Sequence, residues 1–413
     1  MNSDSEQIKF DTSIVLAQDQ SLKPKELRGV LKEWLGAENI RLENLLDHQV
    51  ITYSTPTKKF VLLTKAITYL GNPHKLYKKR IQLSDWYQNF CERAKNECHS
   101  WDIRFLGIYH FEENIVFVDF VKDTYLKHGL NNSSAHVSVN DLYEGMTYGI
   151  FRKEDRFGNT LIVLRNDKLK DYLIKGMERN EENPLFHFFN EFNSNFIFGK
   201  CLNALDAIKE MHINKWSQWR QAEWPGWFLE FRFDKFIKDH NYGQLVRYTG
   251  CSNKKEGELD FDLKFIKEDF YGDLKASDIK KKEAPGNDQR NLIDSIYRYK
   301  RFWYVIYEHY TRKDSDAEYE ATRARNRYIK EQDAKYDKDE MSYHSKMKNS
   351  VKFVKMSILE LNMVNFKEAL KVFNQGHQPD GTPRAPKFNI NKSVLENDNF
   401  VVFRFNYPFN EEF

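Results

Sequence analysis

Carboxylates and a lysine recur at alternate positions within residues 256–277, and together they offer the chemistry of a divalent-metal site. Two runs of alternating apolar and polar residues flank a short polar break in this stretch. Alternation with a period of two is typical of β-strands joined by a turn. With a tight turn, Asp262 lies opposite Asp273 and Asp260 lies opposite Lys275. We therefore expect two or three carboxylates and one ammonium group on one face of a hairpin.

Carboxylates held this close together repel one another unless a cation lies among them. Oxygen-only ligand sets favour Mg²⁺, for which Mn²⁺ is expected to substitute. The alternative interpretation is a hairpin with a solvated face, on which acids and lysines alternate only for solubility. The metal-site interpretation is favoured because two apolar strands frame the acids and an amphipathic helix follows them.

Composition narrows the classes of protein to consider. The chain has 413 residues and a formal net charge of +3, so no global positive field identifies a nucleic-acid-binding protein, and any DNA-binding surface must be local. The sequence has no apolar run of about 18 residues, so we expect no membrane-spanning helix. Its first residues do not form a basic segment followed by an apolar one, so we expect no secretory signal. Four scattered cysteines do not form a disulfide framework, so we expect a reducing, cytoplasmic environment.

The length favours two domains, and the polar, proline-terminated stretch 177–184 is a plausible boundary between them. We predict an N-terminal α/β domain over residues 1–180 and a C-terminal domain over residues 195–413. Residues 1–20 read as a loose polar lead. Helices are predicted at 22–35, 83–94, 203–212, 227–238, 288–310 and 366–373, with a lysine-rich loop at 278–287 and a charged helical arm within 312–349.

The segment Gly257-Glu258-Leu259-Asp260, followed after a turn by Phe270-Tyr-Gly-Asp-Leu-Lys275, resembles the PD-(D/E)XK nuclease superfamily. The pattern of that superfamily is an Asp at the start of one strand and Asp/Glu-x-Lys on the next, commonly with a Glu on a preceding helix. The resemblance covers roughly residues 220–310. It implies an α/β fold with a mixed-sheet nuclease core in the C-terminal half, to which the α/β domain predicted from the N-terminal sequence pattern is additional.

The resemblance also implies roles for individual residues. Asp260 would be the first metal-binding acid, with Asp262 an equally placed alternative, and Asp273 would be the second. Lys275 would lie beside the attacking water, and Glu230 would be the helix acid, binding metal directly or through water.

The main-chain carbonyl of Leu274 is a further candidate ligand, because Leu274 lies between the two functional side chains. For Glu230, the competing interpretation is an acid that simply emerges at the surface of an apolar helix.

Basic and polar residues downstream of the hairpin are candidates for DNA contacts. Lys280, Lys281 and Lys282 follow the second strand, and Gln289 and Arg290 open the next predicted helix. Phosphate contacts from such residues would position a duplex without reading its sequence. For each residue taken alone, a solvated surface is the simpler interpretation.

The leading prediction is therefore a Mg²⁺-dependent, restriction-type endonuclease that hydrolyses phosphodiester bonds in double-stranded DNA. Its N-terminal domain would recognise the target, the enzyme would act as a homodimer, and a cognate DNA methyltransferase would be its genetic partner. The alternatives are a repair or structure-specific nuclease of the same fold and a non-catalytic DNA-binding protein in which the hairpin is structural.

Overall fold

The computed structural model describes residues 4–97, 101–126, 134–176, 183–250, 259–317, 319–333, 348–363, 365–374, 376 and 384–407. The chain divides into two compact units, Met1–Pro184 and Leu185–Phe413. Gly257 and Glu258, most of the predicted boundary stretch and residues 334–347 of the predicted arm lie outside the described residues. Within the described ranges, no helix has the length and hydropathy needed to cross a bilayer.

The first unit, residues 1–184, is a mixed α/β structure. Its strands are β1 (Ser5–Ile8), β2 (Ile14–Ala17), β3 (Ile40–Leu45), β4 (His48–Ser54), β5 (Lys59–Ala66), β6 (Thr68–Tyr69), β7 (Lys78–Gln82), β8 (Trp101–Phe111), β9 (Asn114–Phe120), β10 (Ser134–Ser138), β11 (Ile150–Glu154) and β12 (Thr160–Arg165). Its helices are α1 (Pro24–Leu35), α2 (Trp86–Glu97), α3 (Lys122–Leu126), α4 (Val139–Tyr148) and α5 (Leu169–Lys175).

A seven-stranded sheet with the order β11-β12-β9-β8-β5-β4-β3 is the centre of this unit. Only the β5–β8 pair in that sheet is parallel. Leucines of α1 and the apolar residues of α5 pack against the sheet in one buried cluster. A smaller antiparallel sheet with the order β10-β7-β6 and the β1-β2 hairpin complete the unit.

The second unit, residues 185–413, is also mixed α/β, with α6 (Pro184–Asn195) beginning at the boundary. Its strands are β13 (Leu202–Asn203), β14 (Val246–Tyr248), β15 (Leu263–Phe265), β16 (Phe270–Asp278), β17 (Glu283–Asp288), β18 (Phe302–Lys313), β19 (Lys348–Leu361), β20 (Leu370–Phe373), β21 (Lys387–Asn391) and β22 (Val401–Asn406). Its other helices are α7 (Ala204–Ile213), α8 (Trp224–Asp239), α9 (Gln289–Tyr299), α10 (Tyr319–Gln332) and α11 (Phe366–Ala369).

The main sheet of the second unit runs β13-β19-β18-β16-β15-β14, with β22 also paired to β19. Strands β14, β15 and β16 form an antiparallel meander, and β16 pairs in parallel with β18 after a crossover that includes α9. One face of this sheet packs against aromatic residues, as where the Phe189 ring of α6 approaches Phe265 and Trp303. Leu292 and Ile296 of α9 join the buried cluster that contains Phe302 and Tyr304 of β18.

Gly272, in the middle of this sheet, occupies a position where a side chain has no space. A Cβ atom there would lie 2.8 Å from the main-chain oxygen of Trp303 and 2.8 Å from the Phe265 ring. The close approach of β16 to β18 therefore requires glycine directly before Asp273.

The observed elements confirm the predicted mixed α/β class and the helices at 22–35, 83–94, 203–212 and 227–238 within a few residues. The predicted polar lead was wrong, because residues 5–17 form the β1-β2 hairpin. The predicted loop at 278–287 largely becomes β17, an edge strand on which Pro285 is tolerated because proline offers no N–H to a sheet.

Two predicted helices were too long. The helix expected at 288–310 ends at Tyr299, and Lys300 has a left-handed backbone conformation with φ of 66° before β18 begins. The helix expected at 366–373 is a single turn, α11, followed by β20. Within the predicted charged arm, α10 accounts for Tyr319–Gln332, with strand at its two described ends.

Candidate active site

Two aspartates lie face to face at the open end of the β15-β16 hairpin. Leu263 pairs with Gly272, which places Asp262 opposite Asp273 as the sequence alternation predicts. The Asp262 N–H donates to Asp273 Oδ1 over 3.1 Å, and the Leu274 N–H donates to Asp262 Oδ2 over 3.0 Å. Each carboxylate is therefore held by a main-chain donor of the opposite segment, which fixes both side chains without consuming all of their oxygen lone pairs.

Lys275 lies on the same strand face as Asp273 and forms an ion pair with its Oδ2 atom. Only 2% of the Asp273 side chain is exposed, compared with 17% of Lys275, so the acid is the more deeply buried of the two. Desolvation lowers the Lys275 pKa, but the charges of Asp273 and Asp262 raise it and the net shift is upward. The ammonium group is therefore charged at neutral pH.

Glu230 reaches the same cluster from α8. The Tyr248 hydroxyl of β14 donates to Glu230 Oε2 over 2.5 Å. Burial raises the pKa of Glu230 to about 7, with the Asp273 charge adding to the rise while the Tyr248 hydrogen bond and Lys275 oppose it. The Glu230 carboxyl group thus interacts electrostatically with both functional residues of β16, and it is not an acid that merely emerges at the helix surface.

The pKa of Asp262 is raised well above its ordinary value, first by burial and then by the negative charges of Asp273 and Glu230. Three carboxyl groups therefore crowd around one ammonium group, and their mutual repulsion would be relieved by a further cation. All of the side-chain donors are oxygens, which is the set that Mg²⁺ prefers.

The Lys275 ammonium group forms the ion pair that neutralises Asp273. Across the described ranges, no group of three or more His, Cys, Asp and Glu side chains is already arranged to hold a metal ion. The carboxylate oxygens of Asp262, Asp273 and Glu230 are donors of the type that Mg²⁺ prefers, but Lys275 already interacts with Asp273 Oδ2.

The environment of Asp260 differs from that of Asp262. The Asp260 side chain is exposed, and Asp260 is the central residue of a tight turn in which the Phe261 N–H donates to the Leu259 carbonyl over 3.1 Å. The β15 pairing ends at Leu263, so the strand register does not extend to Asp260. Of the two candidates for the first acid, the structure brings Asp262 to Asp273 and Lys275.

The predicted DNA-contacting residues lie beyond the far end of β16. Lys280, Lys281 and Lys282 are exposed in the turn that follows Asp278, which accepts hydrogen bonds from the main-chain N–H groups of Lys280 and Lys281. Three residues of extended strand, roughly 10 Å, separate Lys275 from Asp278, so these lysines are not part of the acidic cluster.

Gln289 and Arg290 open α9, as the sequence predicts. Arg290 is exposed, whereas the Gln289 amide nitrogen is buried and, among the described residues, makes no hydrogen bond.

Two tyrosines at the site were not predicted from the sequence. Tyr248 orients Glu230, and Tyr304 lies opposite Asp273 in the parallel β16–β18 register. Burial raises the pKa of Tyr304 far above its ordinary value, and the nearby charges of Asp273 and Asp262 raise it further. Tyr304 could have been found only by predicting β18 as a strand parallel to β16, but the sequence pattern predicted a helix over this segment.

Comparison with known families gives one match, and it lies in the first unit. Residues 58–173 match the family model described as methylase-associated X1. This description suggests that the chain is a component of a restriction–modification system and is consistent with a methyltransferase as genetic partner. The match covers β5 to most of α5 and does not include the acidic cluster. Comparisons with curated proteins and with solved structures gave no match.

Proposed function

We propose that this chain is the nuclease of a restriction–modification system, a Mg²⁺-dependent endonuclease that hydrolyses phosphodiester bonds in double-stranded DNA. The observation that carries the proposal is the convergence of Glu230, Asp262, Asp273 and Lys275 from α8, the start of β15 and β16. This order agrees with the pattern of the PD-(D/E)XK superfamily, in which an Asp at a strand start precedes Asp/Glu-x-Lys on the next strand. The methylase-associated match supports the biological setting.

In this proposal Asp262 takes the role of first acid, in preference to Asp260. Asp262 and Asp273 would hold the metal ion, with Glu230 and the Leu274 main-chain carbonyl as further donors. A Mg²⁺ ion at this site would offset the charge on the scissile phosphate and lower the pKa of a bound water.

Lys275 has a separate task. Its charged ammonium group, partly exposed beside the buried Asp273, would orient the attacking water and stabilise negative charge as it develops on the phosphate. Tyr248 would keep the Glu230 carboxyl group directed towards the strands through its hydrogen bond.

The proposal also includes a dimer and a DNA-binding surface. A second copy of the chain would address the second DNA strand, and the first unit would bind the target. Lys280, Lys281, Lys282, Gln289 and Arg290 would contribute phosphate contacts flanking the site.

The test is cleavage of supercoiled plasmid in Mg²⁺ by wild type, Asp273→Asn, Lys275→Ala and Asp262→Asn. Asp260→Asn is the matched control, since it removes the same charge two residues away at an exposed position. We expect the first three variants to lose at least a hundredfold in rate, and Asp260→Asn to retain activity within a fewfold. Cleavage at wild-type rates by both Asp273→Asn and Lys275→Ala would reject the proposal.

Further measurements separate the alternatives. Discrete fragments from a long linear duplex support the restriction-type enzyme, whereas cutting confined to flaps, junctions or ends indicates a repair nuclease. DNA binding that is indifferent to chelator, with no heat on titration of Mn²⁺, indicates a non-catalytic binding protein.

A further inference from the structure

A cationic face lies on the small β10-β7-β6 sheet of the first unit. We define it by His74, Lys78, Arg80, His136 and Arg156. In the antiparallel register of β7 and β10, Arg80 pairs with His136. Alternation along β7 directs Lys78 and Arg80 to one side, while Lys79 and Ile81 are buried on the other. The outward side of this sheet therefore presents its basic residues together.

Electrostatic effects show that these groups are close together. The pKa of His136 is lowered by desolvation and then by the positive charges of Lys78, Arg80 and His74. Asp155 acts on His136 in the opposite direction, which places the β11-β12 turn beside the same face. The imidazole of His136 is consequently neutral near pH 7, and the lasting positive charge belongs to lysine and arginine.

The two outward-facing charges of β7, on Lys78 and Arg80, are not neutralised by ion pairs among the described residues, whereas the inward-facing Lys79 pairs with Asp19. Neither Lys78 nor Arg80 forms a salt bridge with a carboxylate in the part of the chain that the structure describes, although salt bridges are frequent elsewhere in the unit, as between Lys153 and Asp141. Arg80 instead donates to the Ser134 hydroxyl over 3.0 Å, which orients its guanidinium group along the sheet. Because neither Lys78 nor Arg80 is neutralised by a direct ion pair within the described ranges, the face is suited to a polyanion.

The β11-β12 turn adds an exposed arginine, Arg156. Asp155 Oδ1 accepts hydrogen bonds from the N–H groups of Phe157 and Asn159, over 2.8 and 2.9 Å, and this fixes the turn. The exposed Arg156 guanidinium stacks on the Phe157 ring at 4.7 Å from its centroid. The turn therefore carries an exposed positive charge next in sequence to Asp155, whose charge acts on His136.

We infer that the cationic face of the first unit binds the phosphate backbone of double-stranded DNA. The inference rests on the proposed function for its choice of polyanion, and it names a surface far in sequence from the proposed catalytic residues. Lysine and arginine contacts to phosphate supply affinity and orientation without reading bases. The face thus explains how a chain with a net charge of only +3 can hold a polyanion locally.

The test is binding of a short fluorescent duplex to the full chain in EDTA, measured by anisotropy over a range of salt concentrations. Each phosphate contact contributes about 0.9 to the slope of log affinity against log salt, so Lys78→Ala/Arg80→Ala should reduce the slope by nearly 2. Between roughly 50 and 200 mM salt, the wild type should then lose about tenfold more affinity than this variant. Arg156→Ala should reduce the slope by about 1.

The matched control is Lys25→Ala/Lys32→Ala, which removes two exposed positive charges from α1 of the same unit. It should retain the wild-type slope, and circular dichroism melts of all variants verify folding. A wild-type slope in Lys78→Ala/Arg80→Ala, or an equal loss in the control, overturns the inference. A stronger effect on single-stranded than on duplex DNA overturns the choice of partner.

Failure of this inference can be distinguished from failure of the proposed function. Asp273→Asn should bind the duplex with the wild-type slope and yet not cut plasmid. If the cationic face variant keeps the wild-type slope while cleavage still depends on Asp273, only the inferred surface is wrong. If the wild type binds no duplex, the surface is wrong and plasmid cleavage alone decides the function.

Discussion

Replacing Glu230 by glutamine should stabilise the metal-free protein at alkaline pH, although it removes a hydrogen-bonded residue. Burial raises the Glu230 pKa from 4.5 to about 7, so the fold favours the neutral carboxyl group. A carboxyl pKa raised by folding contributes stability below its unfolded value, and this contribution is lost as pH rises through the folded value. Glutamine keeps a neutral amide at every pH and therefore avoids that loss.

The size of the Glu230 pKa shift determines how much the unfolding free energy should change. At roughly 1.4 kcal/mol per pKa unit, a rise from 4.5 to about 7 corresponds to about 3 kcal/mol, and most of it is lost between pH 5 and pH 8. The unfolding free energy of Glu230→Gln relative to wild type should therefore rise by about 2–3 kcal/mol over that interval. Removing the Glu230 charge also relieves the repulsion that raises the Asp262 pKa, which acts in the same direction.

The assay is urea denaturation in EDTA at pH 5 and pH 8, followed by tryptophan fluorescence. Glu331→Gln is the control, because it makes the same chemical change at an exposed position on α10 of the same unit. Its offset from wild type should be the same at both pH values. An offset for Glu230→Gln that is also constant would refute the assignment of Glu230 to a buried, acid-crowded position.

Three further predictions follow from neighbouring features. Tyr248→Phe removes the hydrogen bond that lowers the Glu230 pKa. The pH at which the Glu230 contribution to the unfolding free energy is half lost should therefore move above about 7. An unchanged midpoint would contradict this role of Tyr248. Arg301→Ala leaves the buried Glu360 carboxylate without its 3.1 Å ion pair and should lower the unfolding free energy by roughly 3–5 kcal/mol. Arg323→Ala, which removes an exposed ion pair, should lower it by less than about 1 kcal/mol. Equal losses of unfolding free energy in urea denaturation would contradict the role of the buried pair. Burial raises the Cys91 thiol pKa to about 11, so iodoacetamide at pH 8 should label the exposed Cys201 and spare Cys91 until the protein is unfolded, as mass spectrometry of peptides can show.

The hairpin could be predicted because the alternation shows which side chains face the core and a tight turn sets the register. With Leu263 and Phe265 facing inwards and a short turn between the strands, Asp262 lies opposite Asp273. The same alternation could not separate Asp260 from Asp262, since both occupy polar positions of the pattern. The difference arises because strand pairing stops at Leu263, where the Asp262 N–H donates to the Asp273 carboxylate and the Leu274 N–H donates to the Asp262 carboxylate.

The strand β18 shows why other parts could not be predicted. Phe302 to Tyr307 are all buried because β18 lies between β16 and β19, so the run has no period of two. A continuous apolar run of this kind fits a buried helix or a central strand equally well. Tyr304 was missed for this reason, and so was the parallel partner that places it opposite Asp273.

Diffraction from a crystal soaked in Mn²⁺ tests most directly whether Asp262 and Asp273 bind a divalent ion. We predict an anomalous peak between the carboxylates of Asp262 and Asp273, with Lys275 displaced from Asp273 Oδ2. A peak at the exposed Asp260 alone, or no peak at a Mn²⁺ concentration that supports plasmid cleavage, would contradict it.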